Sequence, residues 1–347
     1  MDLNPIKIGI IGCGYWGTKL IKKCSELKTV QIIALCDRDR NRLADFGKHY
    51  SSVVLTDNPQ EFLAAPTEAV IIATPASTHY ALAKAALRAG KHALVEKPLT
   101  CCLHEAKDLI SLAQKNCLAL KASHIFHHNP AIALIRELVG AEKIGKVQYV
   151  DLVRSNLGKF RSDVSALWDL AYHDISILNY LLPKKPLAIS AHGQSYVQKK
   201  SHLQDIVNLA VYFPENIFST IRVSWIDPVK TRSLMIVGSK KTVLYNSKDE
   251  RIIKTYDINY ESLSCDINSL NTLDSSQNCI LHSVDWVEPM QAELQHFLNC
   301  VRKGKSDEAN LQSGLEIISL IEIAQKSLSS NGLKLNVENF SASFTNK

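Results

Sequence analysis

Three residues of this chain have the types that move a proton at an alcohol: Lys97, Asp169 and His173. Asp169 and His173 stand four apart in Trp168-Asp-Leu-Ala-Tyr-His-Asp174, so a helix there carries both on one face, about 6 Å apart along its axis. Lys97 lies in Glu96-Lys97-Pro98, directly after the apolar run His92-Ala-Leu-Val. Histidine, whose ordinary pKa is about 6.5, suits the base that takes a hydroxyl proton, and such catalysis contributes on the order of 10²–10⁴-fold. A lysine ammonium holds the oxygen as it gains alkoxide character, and the aspartate orients either partner. Singly, a helix histidine, a surface lysine and a first-turn acid are commonplace. They do chemistry together only beside a group that accepts hydride from the same carbon.

The amino terminus supplies the site for such a group. The strand-like Lys7-Ile-Gly-Ile-Ile leads into Gly12-Cys-Gly14-Tyr-Trp-Gly17, then a helical stretch, then the apolar run Val30–Cys36 ending at Asp37. Strand, G-x-G-x-x-G turn, helix and a strand-end acid twenty residues past the last glycine form the dinucleotide fingerprint. Gly12 permits the tight turn, Gly14 the approach of a pyrophosphate, and Gly17 the packing of helix on strand, with phosphate at the helix N-terminus. Tyr15 and Trp16, between these glycines, are expected to touch the cofactor. Asp37 is expected to accept both ribose hydroxyls and repel a 2′-phosphate, which selects NAD over NADP; Arg38 beside it is the residue able to accommodate that phosphate.

Helical stretches then alternate with apolar strands. A helix near Arg38–His49 precedes the strand Ala69–Thr74, a helix from Ser77 to Ala89, the strand His92–Glu96, a helix from Cys101 to Lys115, and the strand Leu118–Ile125. That alternation predicts a doubly wound parallel sheet. Past Asn129 the rhythm changes to strands following strands between Val147 and Tyr256, interrupted by a helix from about Trp168 to Leu181. The expected fold is α/β: an N-terminal doubly wound Rossmann sheet over residues 1–125, and over 126–347 an α+β unit with a mainly antiparallel sheet. Glu261–Asn278, rich in Ser, Asn and Asp, reads as a loop, and the closing helices, near Pro289–Arg302 and Ser313–Ser329, are expected to be able to pack back on the first domain.

At 347 residues the chain suits two cores, and 46% hydrophobic with 21% charged residues describes a globular protein. Net charge is +6 and spread along the chain, which argues against a nucleic-acid partner. No apolar run approaches the ~18 residues of a membrane span, and no signal pattern opens the chain. Nine cysteines without a C-x-x-C pair argue against a disulfide or metal framework. The reading is a cytoplasmic protein without a metal site.

The series GIIGCGYWG, ATPASTHY (Ala73–Tyr80), VEKP (Val95–Pro98), HHNP (His127–Pro130), WDLAYHD and the closing EPMQAELQHFLNCVRKGK (Glu288–Lys305) resembles the glucose-fructose oxidoreductase / inositol dehydrogenase (Gfo/Idh/MocA) family over nearly the whole chain. The resemblance implies NAD(P)-dependent oxidation or reduction at a sugar or cyclitol carbon. It makes the sheet of the second domain a large open one that serves substrate and oligomerisation, with dimers or tetramers formed through it. It places Lys97, Asp169 and His173 on the family's catalytic positions and Thr74, Pro75, His79 and Glu96 on positions lining the cofactor. It also implies a cis bond between Lys97 and Pro98. His124, His127 and His128 fall where members vary and receive no role.

For the substrate, Arg154, Lys159 and Arg161 lie on the segment that leaves a strand and runs toward Asp169. Three cations there are expected to hold a phosphate, diphosphate or carboxylate. Asn129, Arg154, Arg161 and Trp168 are the expected substrate contacts. With the likeness of this stretch to members associated with surface-polysaccharide sugars, they point to a nucleotide-linked amino or uronic sugar. Two other readings stay open. One is a dinucleotide-binding regulator without turnover; the other is an enzyme that keeps its cofactor bound and acts as an epimerase or glycosidase.

Overall fold

The structure is a computed structural model and describes residues 4–50, 52–199, 202–257 and 278–338. Two compact units emerge, Met1–Ile125 with Glu288–Ile318, and Phe126–Val287 with Ser319–Lys347.

The first unit alternates strand and helix: β1 (Ile6–Ile11), α1 (Tyr15–Glu26), β2 (Val30–Cys36), α2 (Arg40–Gly47), β3 (Val54–Thr56), α3 (Pro59–Ala64), β4 (Ala69–Ile72), α4 (His79–Arg88), β5 (His92–Val95), α5 (Leu103–Lys115) and β6 (Leu120–Ala122). The strands pair in parallel in the order β3-β2-β1-β4-β5-β6. Every residue of β4 is buried, as are five of six in β1, because helices cover both faces of such a sheet. This is the doubly wound fold that the alternation predicts.

The second unit opens with α6 (Pro130–Gly140) and β7 (Val147–Leu157). A π turn, Leu167–Ala171, leads into α7 (Tyr172–Leu181), followed by β8 (Ala188–Gln194), β9 (Ile206–Tyr212), β10 (Phe218–Ser224), β11 (Ile226–Gly238), β12 (Lys241–Asn246), β13 (Ile252–Asp257) and β14 (Cys279–Ser283). The chain closes with α8 (Pro289–Lys303), α9 (Glu308–Ser329) and β15 (Leu335–Asn336). The nine strands run β14-β13-β12-β11-β7-β10-β9-β8-β15, antiparallel except where β10 pairs with β7. Alternate residues turn inward, such as Val207, Leu209 and Val211 in β9, which is the mark of a sheet with one covered face.

Local signals explain several helix starts. Asn58-Pro59, Asn129-Pro130 and Glu288-Pro289 each put a capping side chain before a proline at the first helical position. Gly304, at φ +59°, ends α8 in the left-handed conformation.

Two expectations change. The helix predicted from Trp168 begins instead as the π turn, so Asp169 sits in that turn and His173 in the first turn of α7, and simple α-helical spacing does not relate them. The predicted strand Leu118–Ile125 shrinks to β6: Ser123 N–H still donates to Val95 O of β5, but His124 N–H turns away to the Glu293 carboxylate. The loop expected over Glu261–Asn278 lies, Asn278 apart, outside the described residues.

Side chains of α9, of α8 and of the turn between them complete the open edge of β6. Ser306 Oγ accepts from Leu120 N–H at 2.9 Å; Asn310 accepts from Ala122 N–H and donates to Ala122 O, both at 3.0 Å; Glu293 accepts from His124 N–H at 2.7 Å and from Ser123 Oγ at 3.0 Å. These contacts satisfy an edge that would otherwise leave buried main-chain groups unpaired. Glu293 also faces buried Lys121; burial pushes the Lys121 ammonium below its ordinary value and the Glu293 carboxyl above its own. Asn310→Leu, which strands both Ala122 groups, is expected to lower unfolding stability by about 2–4 kcal/mol in a urea titration. A midpoint equal to wild type would show that the edge does not depend on this amide.

Candidate functional site

In the first unit the site grows from the carboxyl ends of β1, β2, β4 and β5. Gly12 has φ +96°, donates its N–H to Cys36 O at 2.8 Å, and a Cβ there would lie 2.5 Å from Ala73 O. At Gly17 a Cβ would fall 1.7 Å from Gly12 O, so α1 packs against the turn more closely than any side chain allows. At Gly14 the same test meets only Arg42 Nη1, at 3.7 Å. The first and third glycines are thus required by protein packing, while the middle one faces open space beside the first turn of α1, whose cap has no side chain. Space, bare backbone and a helix N-terminus are what a pyrophosphate needs, and these residues fit it.

Asp37 is nearly buried at the end of β2. Its Oδ2 accepts from Cys13 N–H at 2.6 Å, its Oδ1 from Asp39 N–H at 2.9 Å, and Arg42 Nη1 lies 3.6 Å from Oδ2. Arg38, by contrast, is exposed. The guanidinium beside the acid is therefore that of Arg42, which sequence reading missed. Its signal was the N-cap Asp39, since a residue three past a cap lies in the first helical turn. The Cys13 thiol is pushed up to about 12 by burial and then by Asp37, so it is inert at neutral pH.

Tyr15 is largely exposed and meets Trp16 edge-on, with Lys19 Nζ 4.5 and 4.8 Å from the two ring centroids. Thr74 and Pro75 follow β4, and Thr74 Oγ1 lies 2.7 Å from Thr78 Oγ1. His79 departs from its expected place at the cofactor surface. It is 1% exposed, with ring nitrogens 2.7 Å from Pro98 O and 2.9 Å from Thr74 O, and so staples the loop after β4 to the loop after β5. Glu96 and Lys97 are half-buried at the end of β5, and the Lys97–Pro98 bond is cis.

In the second unit Asp169 accepts from Trp225 Nε1–H at 3.3 Å and has Arg161 Nε 3.7 Å from its other oxygen. The His173 ring meets Phe126 edge-on at 5.3 Å and Tyr172 at 6.5 Å. Trp168 is half-buried in the π turn. Two substrate expectations fail here. Arg154 is buried and forks onto Asp174 with three bonds of 2.8–3.0 Å, its guanidinium 4.7 Å above Phe126, so its charge is spent within the unit. Asn129 is buried as the cap of α6, its oxygen accepting from Ala131 and Ile132 N–H. Lys159 keeps an exposed position, and Arg161 is partly exposed beside Asp169.

The other histidines take structural partners. His127 stacks on Tyr180 at 4.7 Å and meets Ser176 Oγ at 2.9 Å, and His124 Nδ1 meets the Asn310 amide at 3.2 Å. Among the described residues no His, Cys, Asp and Glu cluster could hold a metal ion, and no described helix is long and apolar enough to cross a membrane.

A doubly wound sheet with this glycine turn and strand-end acid belongs to the NAD-binding Rossmann class. Residues 6–124 match the model for the oxidoreductase family with NAD-binding Rossmann fold, and residues 132–244 match the GFO/IDH/MocA C-terminal domain. These spans cover more than half of the chain, which belongs to the GFO/IDH/MocA family. The chain is 31% identical over 199 residues to a UDP-N-acetylglucosamine 3-dehydrogenase of Acidithiobacillus ferrooxidans, covering 57% of this chain and 61% of that protein. It is 27% identical over 147 residues to a dTDP-3,4-didehydro-2,6-dideoxy-alpha-D-glucose 3-reductase of Saccharopolyspora spinosa, covering 42% and 44%. In both cases the match spans less than two thirds of the relative. An inositol dehydrogenase homolog of Azotobacter vinelandii, crystallised with NADH and myo-inositol, shares the fold with a TM-score of 0.80 at 17% identity, over 96% of this chain and 98% of that one.

Asp37 predicts at least about tenfold tighter binding of NADH than of NADPH. Asp37→Ser is expected to narrow that gap by admitting NADPH, and adding Arg42→Ala to restore it by removing the cation that would meet a 2′-phosphate. Fluorescence titration of the reduced cofactors measures both; tighter NADPH binding by the unaltered protein would contradict the assignment.

Proposed function

We propose that this chain is an NAD-dependent oxidoreductase acting at a ring-carbon hydroxyl of a nucleotide-linked amino or uronic sugar. The observation that carries the reading is that the second unit holds Asp169 with donors on both oxygens and His173 backed by an aromatic ring, in a chain whose other unit is an NAD-binding Rossmann fold. The names of the relatives, a UDP-sugar dehydrogenase and a dTDP-sugar reductase, support the nucleotide-linked substrate.

NAD, when bound, supplies the hydride acceptor. The first turn of α1 and the bare backbone at Gly14 would hold its pyrophosphate, and Asp37 would hold its adenosine ribose. His173 takes the hydroxyl proton in the direction of oxidation and returns it in reduction. Lys97, at the end of β5, brings an ammonium able to stabilise charge developing on a substrate oxygen. Asp169 keeps the polar groups around that oxygen oriented. Arg154 is withdrawn into its ion pair with Asp174, and the diphosphate or carboxylate is assigned to Lys159 and Arg161 on the same segment, Arg161 also facing Asp169. Assembly as dimers or tetramers through the large sheet and a cytoplasmic setting complete the proposal.

Lys97→Met and His173→Ala are each expected to leave the NADH dissociation constant within about twofold while lowering turnover about a hundredfold or more, since both stand outside the glycine cradle. Wild-type turnover by either variant would remove that residue from the mechanism. A thermal-shift screen with NAD present identifies the substrate class. UDP-N-acetylglucosamine at a hundred times its dissociation constant adds about 2.7 kcal/mol of stability. Stabilisation by neutral monosaccharides and none by UDP-sugars would overturn the nucleotide-linked reading.

A further inference from the structure

We infer that Trp225 is a positioning residue for Asp169, held in place through the backbone of Asp205. The inference rests on the reading of Asp169 as part of the reacting site. An aspartate's terminal torsion is broad, so nothing in the side chain itself fixes the plane of its carboxylate. Donors on both oxygens do. Trp225 Nε1–H reaches Oδ2 at 3.3 Å, and Arg161 Nε faces Oδ1 at 3.7 Å. The arginine is partly exposed, whereas the indole is 1% exposed and cannot drift.

The indole's own position is set by backbone. Trp225 lies between β10 and β11; its N–H donates to Asp205 O at 2.9 Å and its carbonyl accepts from Gly158 N–H at 3.1 Å, while Phe160 packs edge-on at 6.0 Å. The preceding carbonyl, of Gln204, accepts from Ala166 N–H at 2.9 Å. Ala166 leads directly into the π turn that carries Asp169. Two consecutive carbonyls therefore hold both ends of one hydrogen bond, the turn bearing the acceptor and the backbone bearing the donor. Asp205 is fully buried, and its Oδ2 accepts from the N–H groups of Tyr196 and Val197, at 2.6 Å each, and of Gln198 at 3.4 Å. Those bonds fold the β8–β9 connection onto the residue that anchors Trp225.

The chain has four tryptophans, so its indole ¹H–¹⁵N spectrum has four cross-peaks, and Trp225→Phe identifies one by its loss. In Asp169→Asn the charge-assisted bond becomes a neutral one, and that cross-peak is expected to move farther than the other three. An unmoved peak overturns the inference, whatever the substrate is. In turnover of UDP-N-acetylglucosamine with NAD, Trp225→Phe is expected to lower kcat about tenfold with KM within about twofold, and to cost nothing further once Asp169→Asn is present. Full kcat in Trp225→Phe beside an impaired Asp169→Asn overturns the inference, as does an undiminished Trp225 effect in the double variant. If Asp169→Asn keeps full turnover, or UDP-sugars are not turned over at all, the functional reading fails instead, and the spectrum still decides the hydrogen bond. Should Trp225→Phe not fold, benzothienylalanine at position 225 keeps the bicyclic shape, lacks the N–H and takes its place in both arms.

Discussion

At Gly17 the start of α1 meets the Gly12 carbonyl so closely that an added methyl carbon would sit 1.7 Å from its oxygen. This approach places the start of α1 directly over the end of β1, and the cap of the helix, Gly14, has no side chain to bond its first amides. The amides of its first turn are then available to an anion. Cys13 N–H, in the same turn, is taken by Asp37, so the strand-end acid also holds the glycine turn. One packing constraint thereby sets the bare helix start and the strand-end acid in a single geometry. The ends of β4 and β5, carrying Thr74 and Lys97, follow from strand order, and His79 locks those two loops together from behind.

The second unit depends on buried polar pairs instead. Removing a carboxylate and a guanidinium from water costs several kcal/mol per ion, which excellent geometry must offset. Arg154 and Asp174 have that geometry, and their fork fixes α7 to β7 one residue from His173. Phe126, between the guanidinium and the imidazole, carries the constraint to the ring. In the first unit Glu293 and Lys121 pose the same problem at the sheet edge, where Ser123 and His124 N–H supply the remaining hydrogen bonds.

Short-range patterns made much of this legible in the sequence. Glycine spacing, the acid at position 37 and the strand–helix alternation depend on neighbours within thirty residues or so, and they foretold the Rossmann sheet. The run of strand after strand foretold the antiparallel sheet. What stayed hidden is contact between distant residues. Nothing in Leu152–Asp163 marks Arg154 as buried rather than open to a substrate, because Asp174, twenty positions on, neutralises it. Nothing near Trp168 announces Trp225. The π turn escaped because the pattern Trp168–Leu181 suits an α-helix equally well, and the one-turn bulge is settled by packing, including the bond from Ala166 to Gln204. Arg42 was missed for a milder reason: attention to the residue next to Asp37 overlooked the one that a helical turn brings back to it.

The central claim is that this chain removes hydride from a sugar ring carbon while its own residues hold the hydroxyl. UDP-N-acetylglucosamine deuterated in turn at each secondary ring carbon tests it in one experiment, with turnover rate and the fate of the label followed by mass spectrometry. The account predicts slower turnover for one labelled position alone, with the deuterium recovered in the reduced nicotinamide. Turnover at equal rates for every position, with deuterium lost to water or retained on the sugar, would contradict it.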